Sequence, residues 1–160
     1  MGIIVSGFKG CGRTYFTNVN KDKVKIFEKR GELKNEDIDE IMNIVNDYDI
    51  VFIDSDSKTR ELLEDRNIDF DVFYPSKERR GEFIENQVRK HTIAKEIQTL
   101  DRYFNEWVDD IDSDDSDNCH KHKLVENGHF IGNDQVIMQY VAAIKENKKE
   151  ENTVGNDESR

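Results

Sequence analysis

At 160 residues and 18.8 kDa the chain has the length of one domain, since separate cores arise about once per 100 to 200 residues. Hydrophobic residues make up 35% and charged residues 37%, which predicts a thin core with solvated segments around it. A formal charge of -11 excludes broad, sequence-independent nucleic-acid binding, which needs cations facing the phosphates. No stretch approaches the ~18 apolar residues of a membrane span, and two cysteines, Cys11 and Cys119, cannot build a disulfide framework. A reducing, cytoplasmic setting is expected.

In chain order, Gly2 to Ser6 reads as a strand buried on both faces, because Ile3, Ile4 and Val5 follow one another without polar alternation. It runs into a glycine-rich turn and then a helix. Val24 to Glu28 is a weaker strand. Asn35 to Tyr48 is a helix with apolar residues at spacings of three and four, and Asn35 can cap it. Asp49 to Asp54 is the second clear strand, Ser57 to Arg66 a short helix, and Ile68 to Tyr74 a third strand closed by Pro75. From Lys77 the pattern is helical to about Ile111, with a break near His91 and Thr92, where Thr92 can cap the second piece. Its stripe of Ile93, Ile97, Leu100, Phe104, Trp107, Val108 and Ile111 reads as core. Cys119 to Val125 is a late strand, and Asn133 to roughly Ile144 a final helix. Residues 145–160, where only Val154 is apolar, are expected to be a disordered tail of mixed charge. Alternating strands and helices predict an α/β fold over residues 1–144: three layers around a mainly parallel sheet of about five strands.

Gly7-Phe8-Lys9-Gly10-Cys11-Gly12-Arg13-Thr14 differs by one residue from the phosphate loop G-x-x-x-x-G-K-[ST], and it follows a buried strand and precedes a helix as that loop must. Glycines let successive amides turn inward around phosphate oxygens, and the helix adds its positive end. Gly7, Lys9, Gly10, Cys11, Gly12, Arg13 and Thr14 are therefore the expected nucleotide-binding set. Thr14 is the expected ligand of Mg²⁺. Arg13 supplies the cation for the terminal phosphates, as a planar fork where lysine would be a point charge. The plain alternative is a turn that only joins strand to helix.

The stretches IIVSGFKGCGRT, VFIDSDSKTRELL, DVFYPSKERRGEFIENQVRKH and CHKHKLVENGHFI resemble the P-loop nucleoside monophosphate kinase superfamily, in particular small kinase-like proteins of bacteriophages and mobile elements. The resemblance implies Mg²⁺-dependent transfer of the γ-phosphoryl group of ATP, or another nucleoside triphosphate, to a nucleoside or deoxynucleoside monophosphate in a host cytoplasm. It also implies lid arginines on the segment after the third strand, for which Arg80 and Arg89 are the candidates. Arg13 stands where the family has lysine.

Asp54, at the carboxyl end of a parallel strand, can hold the metal through water or position the acceptor, or else cap the following helix. Arg60 can clamp the acceptor phosphate or be a solvated helix arginine. Arg80 and Arg89 can offset charge on the transferred group, or belong to a helix face paired with Glu78, Glu82 and Glu85. Between Asp101 and Asn118 eight carboxylates face one arginine. This charge and Arg13 support a second reading: a catalytically weak phosphate-loop domain that binds a protein partner through residues 101–118. His120 and His122 share a strand face while Cys119 points away, so the cluster offers no compact metal site. Cys11, close to a helix N-terminus, can have a lowered thiol pKa, or simply be the small residue that the loop accepts.

Overall fold

A computed structural model describes residues 2–29, 31–140 and 142. The expected tail at 145–160 and the end of the expected final helix lie outside the described residues. Five strands, β1 (Ile3–Gly7), β2 (Val24–Ile26), β3 (Ile50–Asp54), β4 (Phe70–Pro75) and β5 (Cys119–Leu124), form one sheet in the order β2-β3-β1-β4-β5. Every pairing is parallel, so the fold is α/β with a wholly parallel sheet among the described residues. The helices are α1 (Arg13–Val19), α2 (Asn35–Ile44), α3 (Ser57–Asp65), α4 (Arg80–Arg89) and α5 (Ala94–Asp112), and a further helical stretch occupies 135–140.

Register shows that helices lie on both faces of the sheet. Val5 is in line with Phe52 and Asp71, and Ser6 with Ile53 and Val72, so Phe52 and Asp71 share one face and Val72 and Tyr74 the other. Phe16 of α1 meets the Phe52 ring edge-on at 5.8 Å, and Tyr140 donates to Asp71. On the opposite face the Tyr74 hydroxyl donates to Asp112 of α5 at 2.6 Å. The central strands are buried along nearly their whole length, as the unbroken apolar runs require.

The chain leaves β1 toward β2 at one edge, then returns past β1 to β4 and β5. Strand order therefore reverses between β1 and β4, and the crevice beyond their carboxyl ends is where open α/β sheets hold ligands.

Local expectations needed four corrections. Lys34 precedes α2 as its N-cap, and Asn35 is the first helical residue; the Asp37 carboxylate accepts the Lys34 amide at 2.7 Å. α2 ends at Ile44, short of Tyr48. The break between α4 and α5 falls at His91, with φ of 56°, but Thr92 does not cap α5. Its hydroxyl donates to Gln87 at 2.9 Å instead. Pro75 pairs with Leu124 and Ser76 donates its amide to the Leu124 carbonyl, so the ladder runs past the proline, which sits where only its carbonyl is needed.

Candidate functional site

The loop after β1 sits at that reversal point. Gly7 is in register with Asp54 of β3 and Phe73 of β4. Phe8 then turns inward: its amide donates to the Phe73 carbonyl, and its ring makes edge contacts with Phe83, Phe104 and Trp107 at 6.2, 5.1 and 6.1 Å. Gly10 and Gly12 have φ of 90° and 101°, which only glycine adopts without strain, and a Cβ on Gly10 would meet Gln87 and Phe83 at 3.2 Å. On its other side the loop is fastened by the Cys11 carbonyl, which accepts the Ile131 amide at 3.0 Å.

This winding leaves donors unspent. Cys11 donates to Phe8 and Phe16 to Gly12, whereas the amides of Lys9, Gly10, Gly12, Arg13 and Thr14 find no acceptor among the described residues. Thr14 is exposed on the first turn of α1. The Arg13 side chain folds back over the loop. Its methylenes lie so close to Gly7 that a Cβ there would come 2.5 Å from Cδ, and its Nη1 donates to the Ile53 carbonyl at 3.2 Å and to Asp54 Oδ1 at 2.9 Å. Asp54 is largely exposed, so this ion pair is weak.

A cavity of about 630 Å³ opens beside the loop, between the β3 end (Asp54 to Ser57) and the last turns of α5. Glu106, Asp109, Asp110 and Ser113 line it, at the i, i+3, i+4, i+7 spacing that places them on one helix face, with Trp107 beside them. The sequence analysis placed Trp107 in the core stripe and read the acidic residues as a segment that could bind a protein partner. The helical spacing of these residues was the signal that a shared wall was there.

The other expected site residues are dispersed. Asp54 does not cap α3: Asp56 does, accepting the Thr59 amide at 3.2 Å and its hydroxyl at 2.7 Å. Arg60 is almost wholly buried and donates to Asp110 at 2.7 Å, Asp114 at 2.9 Å and the Ser55 carbonyl. Burial opposes its charge, but the two aspartates outweigh burial and hold its pKa above the ordinary arginine value. Arg80 pairs with Asp101, and Arg89, an exposed residue, lies 3.7 Å from Glu85. Lys9 reaches Glu96 at 3.5 Å. Structure thus brings Arg13 and Asp54 together at the loop, while Arg60, Arg80 and Arg89 each face carboxylates of the chain itself.

Of the two readings of Cys11, the lowered thiol pKa is overturned. Cys11 is fully buried, and burial pushes its thiol up to about 12 even though Arg13 beside it works the other way. Among the described residues no three His, Cys, Asp or Glu side chains form a metal cluster. His122 instead contacts Asp71 at 2.7 Å, and His129 contacts Asp134 at 2.9 Å. No described helix is long and apolar enough to cross a membrane.

No protein-family model and no curated protein matches the chain.

Proposed function

We propose that the chain binds a nucleoside triphosphate through the loop from Gly7 to Thr14 and transfers its terminal phosphoryl group to a small acceptor. The observation that carries this reading is the set of five unspent amides, Lys9, Gly10, Gly12, Arg13 and Thr14, at the point where strand order reverses. Buried polar groups normally find partners, and donors left open together at a sheet's carboxyl edge suit an anion. Arg13 adds a cation that an exposed ion pair holds only loosely.

Phosphoryl transfer asks a protein mainly for positioning and charge neutralisation, and the loop and Arg13 supply both. Magnesium, when it arrives with the nucleotide, would take the Thr14 hydroxyl, which has no partner among the described residues, and reach Asp54 through water; it would neutralise phosphate charge. Asp54 keeps Oδ2 free for such a role, since Arg13 engages only Oδ1.

The test is calorimetry of Mg·ATP and Mg·GTP against the purified chain, beside Arg13→Ala and Arg13→Lys. Arg13→Ala should weaken binding at least about tenfold, the worth of a charge-assisted hydrogen bond, and Arg13→Lys should retain it. Absence of heat with either triphosphate would overturn the reading. The alternative, a protein-binding module working through residues 101–118, draws less support. Asp101, Asp109, Asp110, Asp112 and Asp114 of that segment are engaged with Arg80, Lys77, Arg60, Lys123 and Arg60 again.

A further inference from the structure

We infer that the molecule accepting the phosphoryl group is an alcohol without negative charge, bearing hydroxyl or amino donors, and that it lies on Trp107 in the cavity beside the loop. This rests on the loop holding a triphosphate, and concerns what sits next to it.

The cavity is the open volume adjoining the loop, and at about 630 Å³ it has the size of a small-molecule site. Its apolar wall is a half-buried indole fixed from two sides: Tyr103 stacks on Trp107 at 5.9 Å and Phe8 meets it edge-on at 6.1 Å. A held aromatic face suits a flat base or the C–H side of a sugar. The polar walls carry acceptors. Glu106, Asp109 and Asp110 project from α5, with Asp54 and Asp56 opposite.

A monophosphate dianion needs cations in that space, and Arg60, Lys77 and Arg80 around it are already spent on carboxylates. Arg60 lies behind the wall on Asp110, Asp114 and the Ser55 carbonyl, and Lys77 lies on Asp109 at 2.8 Å. Arg80 is tied to Asp101. Arg13 and Lys9 line the cavity on the loop side, where the triphosphate would claim them. Freeing Arg60 for an acceptor would leave two carboxylates without their partner, which is costly for a buried pair. Glu106 and Asp56 line the cavity with no ion-pair partner among the described residues, so the walls left facing an acceptor are net negative, which repels an anion and attracts amines or accepts from hydroxyls.

The step balances with the triphosphate as co-substrate. The acceptor hydroxyl oxygen forms a bond to the γ-phosphorus as the bond from that phosphorus to the β,γ-bridging oxygen breaks. The nucleoside diphosphate leaves with that electron pair, and the hydroxyl proton passes to solvent water.

Trp107 is the chain's one tryptophan, so its fluorescence reports on this cavity alone. The experiment titrates the full chain, saturated with a magnesium-loaded non-hydrolysable ATP analogue. The panel is the pyrimidine nucleosides, their 5′-monophosphates, and the amino sugars glucosamine and galactosamine. At least one uncharged or amine-bearing alcohol should quench Trp107 and bind at least about tenfold tighter than its phosphate ester or the matched monophosphate. Glu106→Gln should weaken an amino-sugar binder roughly threefold to tenfold, as expected for an exposed charged contact, and Glu106→Arg should reverse the order in favour of monophosphates. A wild-type preference for a monophosphate, or no response to any alcohol in the panel, overturns the inference. The triphosphate reading stands in both cases if calorimetry still shows the analogue bound. Failure of the analogue to bind removes that reading and the acceptor role with it, and is seen separately in the calorimeter.

Discussion

The loop after β1 and the acidic end of α5 are neighbours that treat polarity in opposite ways. The loop is short and holds two cations, Lys9 and Arg13, and no carboxylate, and it keeps five amide donors without an acceptor among the described residues. The α5 end and the turn after it are the most charged part of the chain, yet Asp109, Asp110, Asp112 and Asp114 close on Lys77, Arg60, Tyr74 and Lys123. Binding capacity follows from groups left without partners, and a local excess of charge is a poor guide to it. Charge in α5 serves to fasten this helix to α3, β4 and β5.

The comparison breaks most severely at Arg60. Arg60→Leu leaves Asp110 and Asp114 facing each other without their common partner, and should cost roughly 3 to 5 kcal/mol of stability, measured by urea unfolding. Stability unchanged within error would mean that the acidic end does not depend on this arginine. Next in size is Gly7→Ala, whose methyl would sit 2.5 Å from Arg13 Cδ and drive that side chain off the loop. Mg·ATP affinity should fall at least about tenfold while the chain remains folded by circular dichroism; intact affinity would show that Arg13 is not held by this contact.

A subtler probe is Glu64, which shares a hydrogen bond with Asp114. Burial, then that bond and the Asp114 charge, push the Glu64 carboxyl up to about 7 from 4.5. Burial pushes Asp114 up as well, but hydrogen bonds from Glu64 and Arg60 prevail and hold it below the usual range. The folded state therefore binds the Glu64 proton more tightly than the unfolded state does. Its stabilising effect is complete below pH about 4.5 and is lost as pH rises through about 7. Glu64→Gln should flatten the decline of the unfolding midpoint between about pH 5 and pH 8, and an unaltered slope would place the titration elsewhere. The smallest effect belongs to Arg89→Ala. With an exposed side chain 3.7 Å from Glu85, it should change stability by less than about 0.5 kcal/mol and leave triphosphate affinity unchanged. A large loss of affinity would restore Arg89 to the site.

Much of the fold was readable because β1 and β3 are unbroken apolar runs, a pattern that a sheet buried on both faces imposes on a sequence. The loop was readable because its glycines and threonine keep fixed spacing. Partners distant in sequence were not. Arg60 finds Asp110 and Asp114 about fifty positions away, and nothing near Arg60 marks it as buried. Thr92 had a capping residue's chemistry but met Gln87 first, because His91 turns the backbone into the left-handed region. The cap on α3 moved two residues, from Asp54 to Asp56, since Asp54 was drawn to Arg13. Arg60 and Asp54 lost their local signals to partners that only the assembled fold brings near, and Thr92 lost its own to the last turn of α4.

Phe8 has a consequence for how the loop meets a ligand. A glycine-rich turn on a surface would normally sample many shapes and lose that freedom on association. Here the Phe8 amide is hydrogen-bonded to β4, its ring is held among Phe83, Phe104 and Trp107, and Cys11 is hydrogen-bonded to Ile131. Folding has already met the entropic cost of shaping the turn, so an anion of the kind proposed would meet a turn already shaped and keep more of the interaction energy as affinity.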